Sequence, residues 1–408
     1  MYHRYRLSNG IRLIHRVTSS PVAHCGLFIN TGSRDETDDE QGVAHFIEHV
    51  IFKGTKKRKA FHILSHMENV GGEINAFTSK EETCVYGSFM HSFYDRWFDI
   101  IADIIFHSSF PEKEIKKEKD IVIDEINSYK DSPSEQILDD FDEVVFDGHP
   151  LGRNILGTPE HIKKYDRTMI RAFMDRNYVT GEMVICSIGR IDFQKLIRLA
   201  ETFFGAAPSE NRQQHRYAHQ NYRPLNKTII RQNHQAHCVT GNKAYSNLHE
   251  KKTALHLLNN LLGGPGLTSR LNMAVREKHG FCYHIESIYQ PYSDSGILSI
   301  YFGTDPEYME KTFLLIHREL ARLRGKMLGT LQMKRAKNQL CGQVNIAHES
   351  ALNEMLFVGK QILHYDRTDT LEDINRRIDA VTAEDMLHVA NEVLDPAQMS
   401  LLTYQPGV

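Results

Sequence analysis

Apolar and polar residues change their period several times along this chain of 408 residues. Ile11 to Val17 and Glu182 to Ile188 are strand-like runs, whereas Phe93 to His107 repeats with a helical period. The segment from Asp38 to Phe52 also reads as a helix, and so does Ala60 to Asn69. Pro111 to Tyr129 predicts a long charged helix with Pro111 in its first turn and Ile115, Ile121, Val122, Ile123 and Ile126 on its apolar side. Thr268 to Lys278 predicts another, capped by Thr268 and stopped at Gly280. Strands and helices in this order predict an α+β chain with helices stacked on mostly antiparallel sheets.

The pattern occurs twice. Val22-Ala23-His24-Cys25 returns as Gln235-Ala236-His237-Cys238, an offset of 213, and the stretch ending in Met183-Val184-Ile185 aligns on that ending in Met399-Ser400-Leu401, an offset of 216. Between the copies, Pro208 to Lys227 is polar, has no apolar period and contains two prolines, as a linker does. The expected organisation is a first domain over 1–207, a linker over 208–227 and a homologous second domain over 228–408.

Composition narrows the function classes. A net charge of -3, with Lys56-Lys57-Arg58-Lys59 as the one basic run and that run reading as a solvated loop, gives nucleic acid no footing. Six cysteines lie far apart with no C-x-x-C pair, the pattern of reduced thiols in a reducing compartment. The first residues form no apolar signal core, and no stretch of 18 apolar residues occurs, so a membrane is not expected and a cytoplasmic location is.

Chemistry concentrates in His45-Phe46-Ile47-Glu48-His49. Residues four apart share a helix face, so His45 and His49 can offer two imidazoles to one metal ion with Glu48 beside them. H-x-x-E-H is a known zinc-hydrolase spacing. A random chain with 23 histidines and 52 acidic residues would show H-x-x-[DE]-H at most roughly 0.16 times, so context has to decide. Catalytic zinc takes three protein ligands, and the third must come from elsewhere. On the Pro111–Tyr129 helix, Glu118 and Glu125 are seven apart and share a face, while Asp124 points off it. Other candidates are weaker. His62 and His66 also lie four apart but enclose no glutamate, and they read as surface or core histidines. Gly263-Gly264-Pro265-Gly266 lacks a dinucleotide fingerprint and a P-loop lysine, and reads as a turn. At the second copy's equivalent of the motif stands Leu255-His256-Leu257-Leu258-Asn259, so only the first half is expected to bind metal.

Gly32-Ser33-Arg34-Asp35-Glu36, Gly42 through His49, and Phe52-Lys53-Gly54-Thr55 follow in order at close spacing, and Gly71 through Thr78 and Ile123-Asp124-Glu125-Ile126 come after them. In these stretches the chain resembles the pitrilysin/insulinase peptidases, in particular the short-chain branch that includes the mitochondrial processing peptidases and their bacterial homologues. The resemblance implies two homologous α/β-sandwich halves, each an antiparallel sheet covered by helices, arranged as a clamshell. It implies zinc held by His45, His49 and Glu125, and Glu48 as general base. It also implies that Gly72, Glu73, Ile74, Asn75, Ala76 and Phe77 form a substrate-binding edge strand. Glu118 stays open between one charge of a solvated helix and the glutamate that in this family supports the ligands. Arg276-Glu277-Lys278-His279-Gly280-Phe281-Cys282-Tyr283 matches the family's arginine/tyrosine pair, which reaches the substrate or the developing oxyanion; by residue type alone Arg276 is a solvated helix-end cation and Tyr283 a half-buried strand residue.

The expected function is a zinc metalloendopeptidase acting on extended polypeptides or oligopeptides. Relatives of this length work as pairs, and one chain carrying both motifs implies a homodimer. Two rivals remain: a catalytically silent scaffold or partner subunit of a processing-peptidase-like complex, and a lyase or small-molecule hydrolase with the same H-x-x-E-H arrangement. The intact His45, Glu48, His49 and Glu125 oppose the first, and the duplicated length opposes the second.

Overall fold

A computed structural model describes residues 1–212 and 216–407; residues 213–215 of the expected linker, and residue 408, lie outside the described residues. The chain begins with β1 (His3–Arg6), β2 (Arg12–Val17) and β3 (Val22–Ile29), followed by α1 (Val43–Val50) and α2 (Ala60–Glu68). Next come β4 (Glu73–Thr78), β5 (Thr83–Met90), α3 (Tyr94–His107), α4 (Glu112–Lys130) and α5 (Pro133–Val145). After them run α6 (Pro159–Lys164), α7 (Arg167–Asn177), β6 (Met183–Gly189) and α8 (Phe193–Phe204). The later part holds β7 (Asn226–Arg231), β8 (Ala236–Lys243), α9 (Lys252–Gly263), β9 (Cys282–Pro291) and β10 (Gly296–Thr304). It closes with α10 (Met309–Gly325), α11 (Thr330–His348), α12 (Ala351–Tyr365), α13 (Leu371–Ala380), α14 (Ala383–Val393) and β11 (Ser400–Pro406).

These elements form two compact units that are discontinuous in sequence. The first comprises Met1–Asn127, Asn154–Arg216 and Ile346–Asp369; the second comprises Ser128–Arg153, Tyr217–Asn345 and Thr370–Val408. The expected domains were contiguous, whereas each compact unit takes in one helical segment from beyond the expected boundary.

The first unit is built on a sheet of order β1-β2-β6-β3-β5-β4. Strand β2 runs parallel to β6, and the remaining neighbours are antiparallel. One face packs against α1, α2, α3 and α8 through Leu27, Ile29, Phe46, Ile47, Trp97, Ile101 and Leu196. The other face is covered by α12: Met355, Val358, Ile362 and Leu363 pack on Ile14, Phe28, Val184, Cys186 and Ile188. Helices on both faces explain why every residue of β6 is buried and why its sequence is an unbroken small or apolar run. Gly359 permits the contact, because a Cβ there would sit 2.1 Å from the Phe28 ring.

The second unit repeats the plan. Its sheet runs β7-β11-β8-β10-β9, with β7 and β11 parallel and the rest antiparallel, so it matches β2-β6-β3-β5-β4 strand for strand. Helices α9, α10 and α14 cover one face, and α5 covers the other through Ile137, Phe141, Val144 and Val145. The internal repeat is therefore a repeat of topology, and in each copy the second helical layer is the segment displaced in sequence.

Several local expectations need correction. The Asp38–Phe52 helix is broken: a short 3-10 turn covers Asp38–Glu40, and Gly42 turns the chain at φ +92° before α1 starts. Ile121 is not on the apolar side of α4, being 40% exposed while Ile115, Val122 and Ile126 are buried. Thr268 caps nothing; helical structure starts at residue 270, and Asn272–Glu277 is a π-helix rather than α. The basic run is solvated only in part, because Arg58 pairs with Asp103 at 2.6 Å and with Asp99. The polar linker is also anchored: Arg216 donates to both oxygens of Asp35 at 2.9 and 2.7 Å and to Asn30 and Glu81, and Arg212 lies 3.3 Å from Asp35.

Candidate metal centre

Helix α1 carries the motif, and its entry is tightly held. Free N–H groups at a helix start need acceptors, and the buried carboxylate of Glu36 receives those of Gly42 and Ala44, each at 2.9 Å. A Cβ at position 42 would lie 2.5 Å from the Leu156 carbonyl, so both the turn and the packing require glycine there. Val43, Ala44, Phe46, Ile47 and Val50 are buried, which leaves His45 and His49 one turn apart along the same side.

Helix α4 brings the carboxylates. Glu118 falls in its buried stripe with Ile115, Val122 and Ile126, and Glu125 follows two turns later. His45 Nε2 lies 3.8 Å from Glu125 Oε1, and His49 Nε2 lies 3.4 Å from Glu125 Oε2. The three ligand atoms fall within 4.8 Å of one another, and no other such cluster occurs among the described residues. Asp124 is exposed and stays outside it. His62 and His66 form no such group.

The donors suit a divalent metal. Burial, reinforced by the nearby His49, pushes the His45 pKa down to about 4, so at neutral pH its imidazole is uncharged and free to coordinate. Its Nδ1 is buried without a hydrogen-bond partner. Two imidazoles and one carboxylate are a zinc set with an open position. Glu48 stands beside them as the potential base. Its pKa is raised, first by burial and further by Glu125, against the opposing pull of Thr78 and His49. Glu118, only 1% exposed, is not a solvated charge: Oε2 lies 3.4 Å from His49 Nδ1 and Oε1 lies 2.9 Å from Lys53 Nζ.

Gly72 precedes β4, and Glu73, Ile74, Asn75, Ala76 and Phe77 lie within it. This strand pairs only with β5 among the described residues, so its other edge carries unpaired main-chain groups. Ile74 and Ala76 pack inward, and Phe77 packs near Tyr86. Arg276 and Tyr283 belong to the second unit, where the guanidinium lies 5.4 Å from the tyrosine ring centre. Tyr283 is 83% exposed rather than half-buried.

Comparison with known proteins decides the family. Residues 13–159 match the model described as insulinase, peptidase family M16, and residues 164–340 match the model of the peptidase M16 inactive domain. A protein of Bacillus subtilis named as an uncharacterized zinc protease is 33% identical over 96% of both chains. One of Mycobacterium leprae with the same description is 31% identical over 96% of this chain and 89% of its own. This chain belongs to the insulinase family of peptidases, M16.

Among solved structures, a protease from Helicobacter pylori superposes on this M16 chain with a TM-score of 0.90 at 20% identity, covering 100% of this chain and 99% of the other. A Pseudomonas fluorescens structure described as a peptidase M16 inactive domain gives 0.92 at 18% identity, with 100% and 98% covered; both likenesses concern the fold. The M16 inactive-domain match includes α9, where His256 is half-buried and stands without histidine or acidic neighbours at the motif positions. Sequence reasoning passed over three residues that support the M16 centre: Glu36, Lys53 and Thr78. All three sit inside the stretches that carried the resemblance, but the contacts of Glu36 with Gly42 and Ala44, of Lys53 with Glu118 and of Thr78 with Glu48 form only once the chain is folded.

Proposed function

We propose that this M16 chain is a zinc metalloendopeptidase that hydrolyses peptide bonds of extended polypeptides or oligopeptides. The observation that carries the reading is the convergence of His45, His49 and Glu125 with Glu48 at their side. When bound, zinc supplies Lewis acidity toward a water molecule and toward the scissile carbonyl. Glu48 takes the proton of the attacking water and returns it to the leaving amine, and a carboxylate with a raised pKa suits both transfers. Glu118 faces His49 Nδ1 and orients that ring. The free edge of β4 pairs with an extended substrate, so main-chain hydrogen bonds carry recognition and side-chain preference is broad. Arg276 and Tyr283 supply donors to the substrate or the oxyanion. The chain works as a homodimer with two equivalent sites, and a cytoplasmic location agrees with six free cysteines.

Metal analysis and a panel of quenched peptides test this. Wild type is expected to hold zinc and cleave; Glu125→Gln loses the metal, and Asp124→Asn keeps it. Zinc retained in Glu125→Gln would move the third ligand elsewhere. Zinc-loaded wild type that cleaves no peptide would leave the scaffold reading in its place.

A further inference from the structure

Lys53 follows α1 in the turn that leaves it, four residues after His49. Its Nζ lies 2.9 Å from Glu118 Oε1, while the other oxygen of the same carboxylate lies 3.4 Å from His49 Nδ1. Glu118 is 1% exposed, and Lys53 keeps 26% of its side chain exposed. A carboxylate buried so fully needs a charge partner, and its two oxygens need fixed directions if one of them is to face an imidazole. The ammonium meets the first need and, by drawing one oxygen toward it as an ion pair rather than a hydrogen bond, leaves the other to face the ring.

We infer that Lys53 is a positioning residue for the metal centre, acting through Glu118 to set the ring of His49 so that Nε2 points toward Glu125. Among the described residues the ion pair of Lys53 is with Glu118 and not with His45, His49 or Glu125. A lysine in the turn after a helix ordinarily extends into solvent, and the pairing of this one with a buried carboxylate is what sets it apart. The inference rests on the zinc reading above and adds to it the residue that holds the support of one ligand in place.

Zinc dissociation constants, measured by chelator competition on the full chain, test it alongside melting of the metal-free protein. Lys53→Met is expected to weaken zinc about 10- to 100-fold, the range for lost ligand support, and Lys53→Arg to restore most of the affinity. Combined with Glu118→Gln, Lys53→Met is expected to weaken zinc no further than Glu118→Gln alone. That double variant also leaves no buried charge unpaired, so it keeps the comparison available if Lys53→Met alone folds poorly. A role confined to fold stability would lower the melting temperature of the metal-free protein and leave the zinc constant unchanged. That result, or two substitutions whose effects on zinc multiply, overturns the inference while the zinc reading stands. A wild-type chain that binds no zinc overturns both.

Discussion

Replacing Glu48 with Gln keeps the size of the side chain and the helix but removes the proton acceptor. Zinc content is expected to stay at the wild-type level while turnover falls by roughly a hundredfold or more, the usual scale for a lost general base. Metal analysis beside steady-state kinetics checks it, and a variant that loses zinc would make Glu48 a ligand. At this scale much was legible. The spacing of His45, Glu48 and His49 already puts them on one turn, and the seven-residue interval from Glu118 to Glu125 already gives them a common face. Illegible was the depth of each carboxylate. Glu118 lies among lysines in sequence, and only the packing of α4 makes it a buried partner of Lys53 and His49 while Glu125 stays 43% exposed.

Single elements depend on contacts that no local pattern announces. Helix α12 is tied to the loop before β5 by Glu82, whose carboxylate receives Lys360 and His364, each at 2.6 Å. Burial alone would raise the Glu82 pKa, but the hydrogen bond from His364 and the charge of Lys360 outweigh it and hold the group at about 2. A carboxylate with a folded pKa below its unfolded value contributes stability above the unfolded pKa, near 4.5, and loses it as pH falls toward 2. That gap corresponds to about 3 kcal/mol. Melting curves from pH 6 to pH 3 are expected to fall steeply for wild type, and to start lower and fall less for Glu82→Gln. Equal slopes would remove the pair from the acid response. The π-helical turn at Asn272–Glu277 was equally hidden, because its residues fit an ordinary α-helix by propensity.

For the whole molecule, the contiguous halves are not the units that bury a core. A chain ending at residue 207 lacks α12 and leaves Ile14, Phe28, Val184, Cys186 and Ile188 open on one face of its sheet. Such a fragment is expected to aggregate when produced alone and to become soluble when produced with residues 208–408; monodisperse, cooperatively melting fragment would contradict this. Assembly has its own test. Inactive Glu48→Gln chains mixed with inactive Tyr283→Phe chains recover peptide cleavage if a site draws on two chains, and stay inactive in proven heterodimers if each chain is self-sufficient. A fully active monomer in sedimentation would remove the dimer.

The H-x-x-E-H motif, the duplicated strand and helix order and the α+β class were all readable along the chain, because each rests on spacing or periodicity within a few turns. Tertiary structure alone decided which helix covers the second face of each sheet, which carboxylates sink and which stay open, and how the polar connection is fastened by Arg216 to Asp35. Those outcomes depend on groups scores or hundreds of residues apart, where burial and charge pairing rather than local period set the free energy.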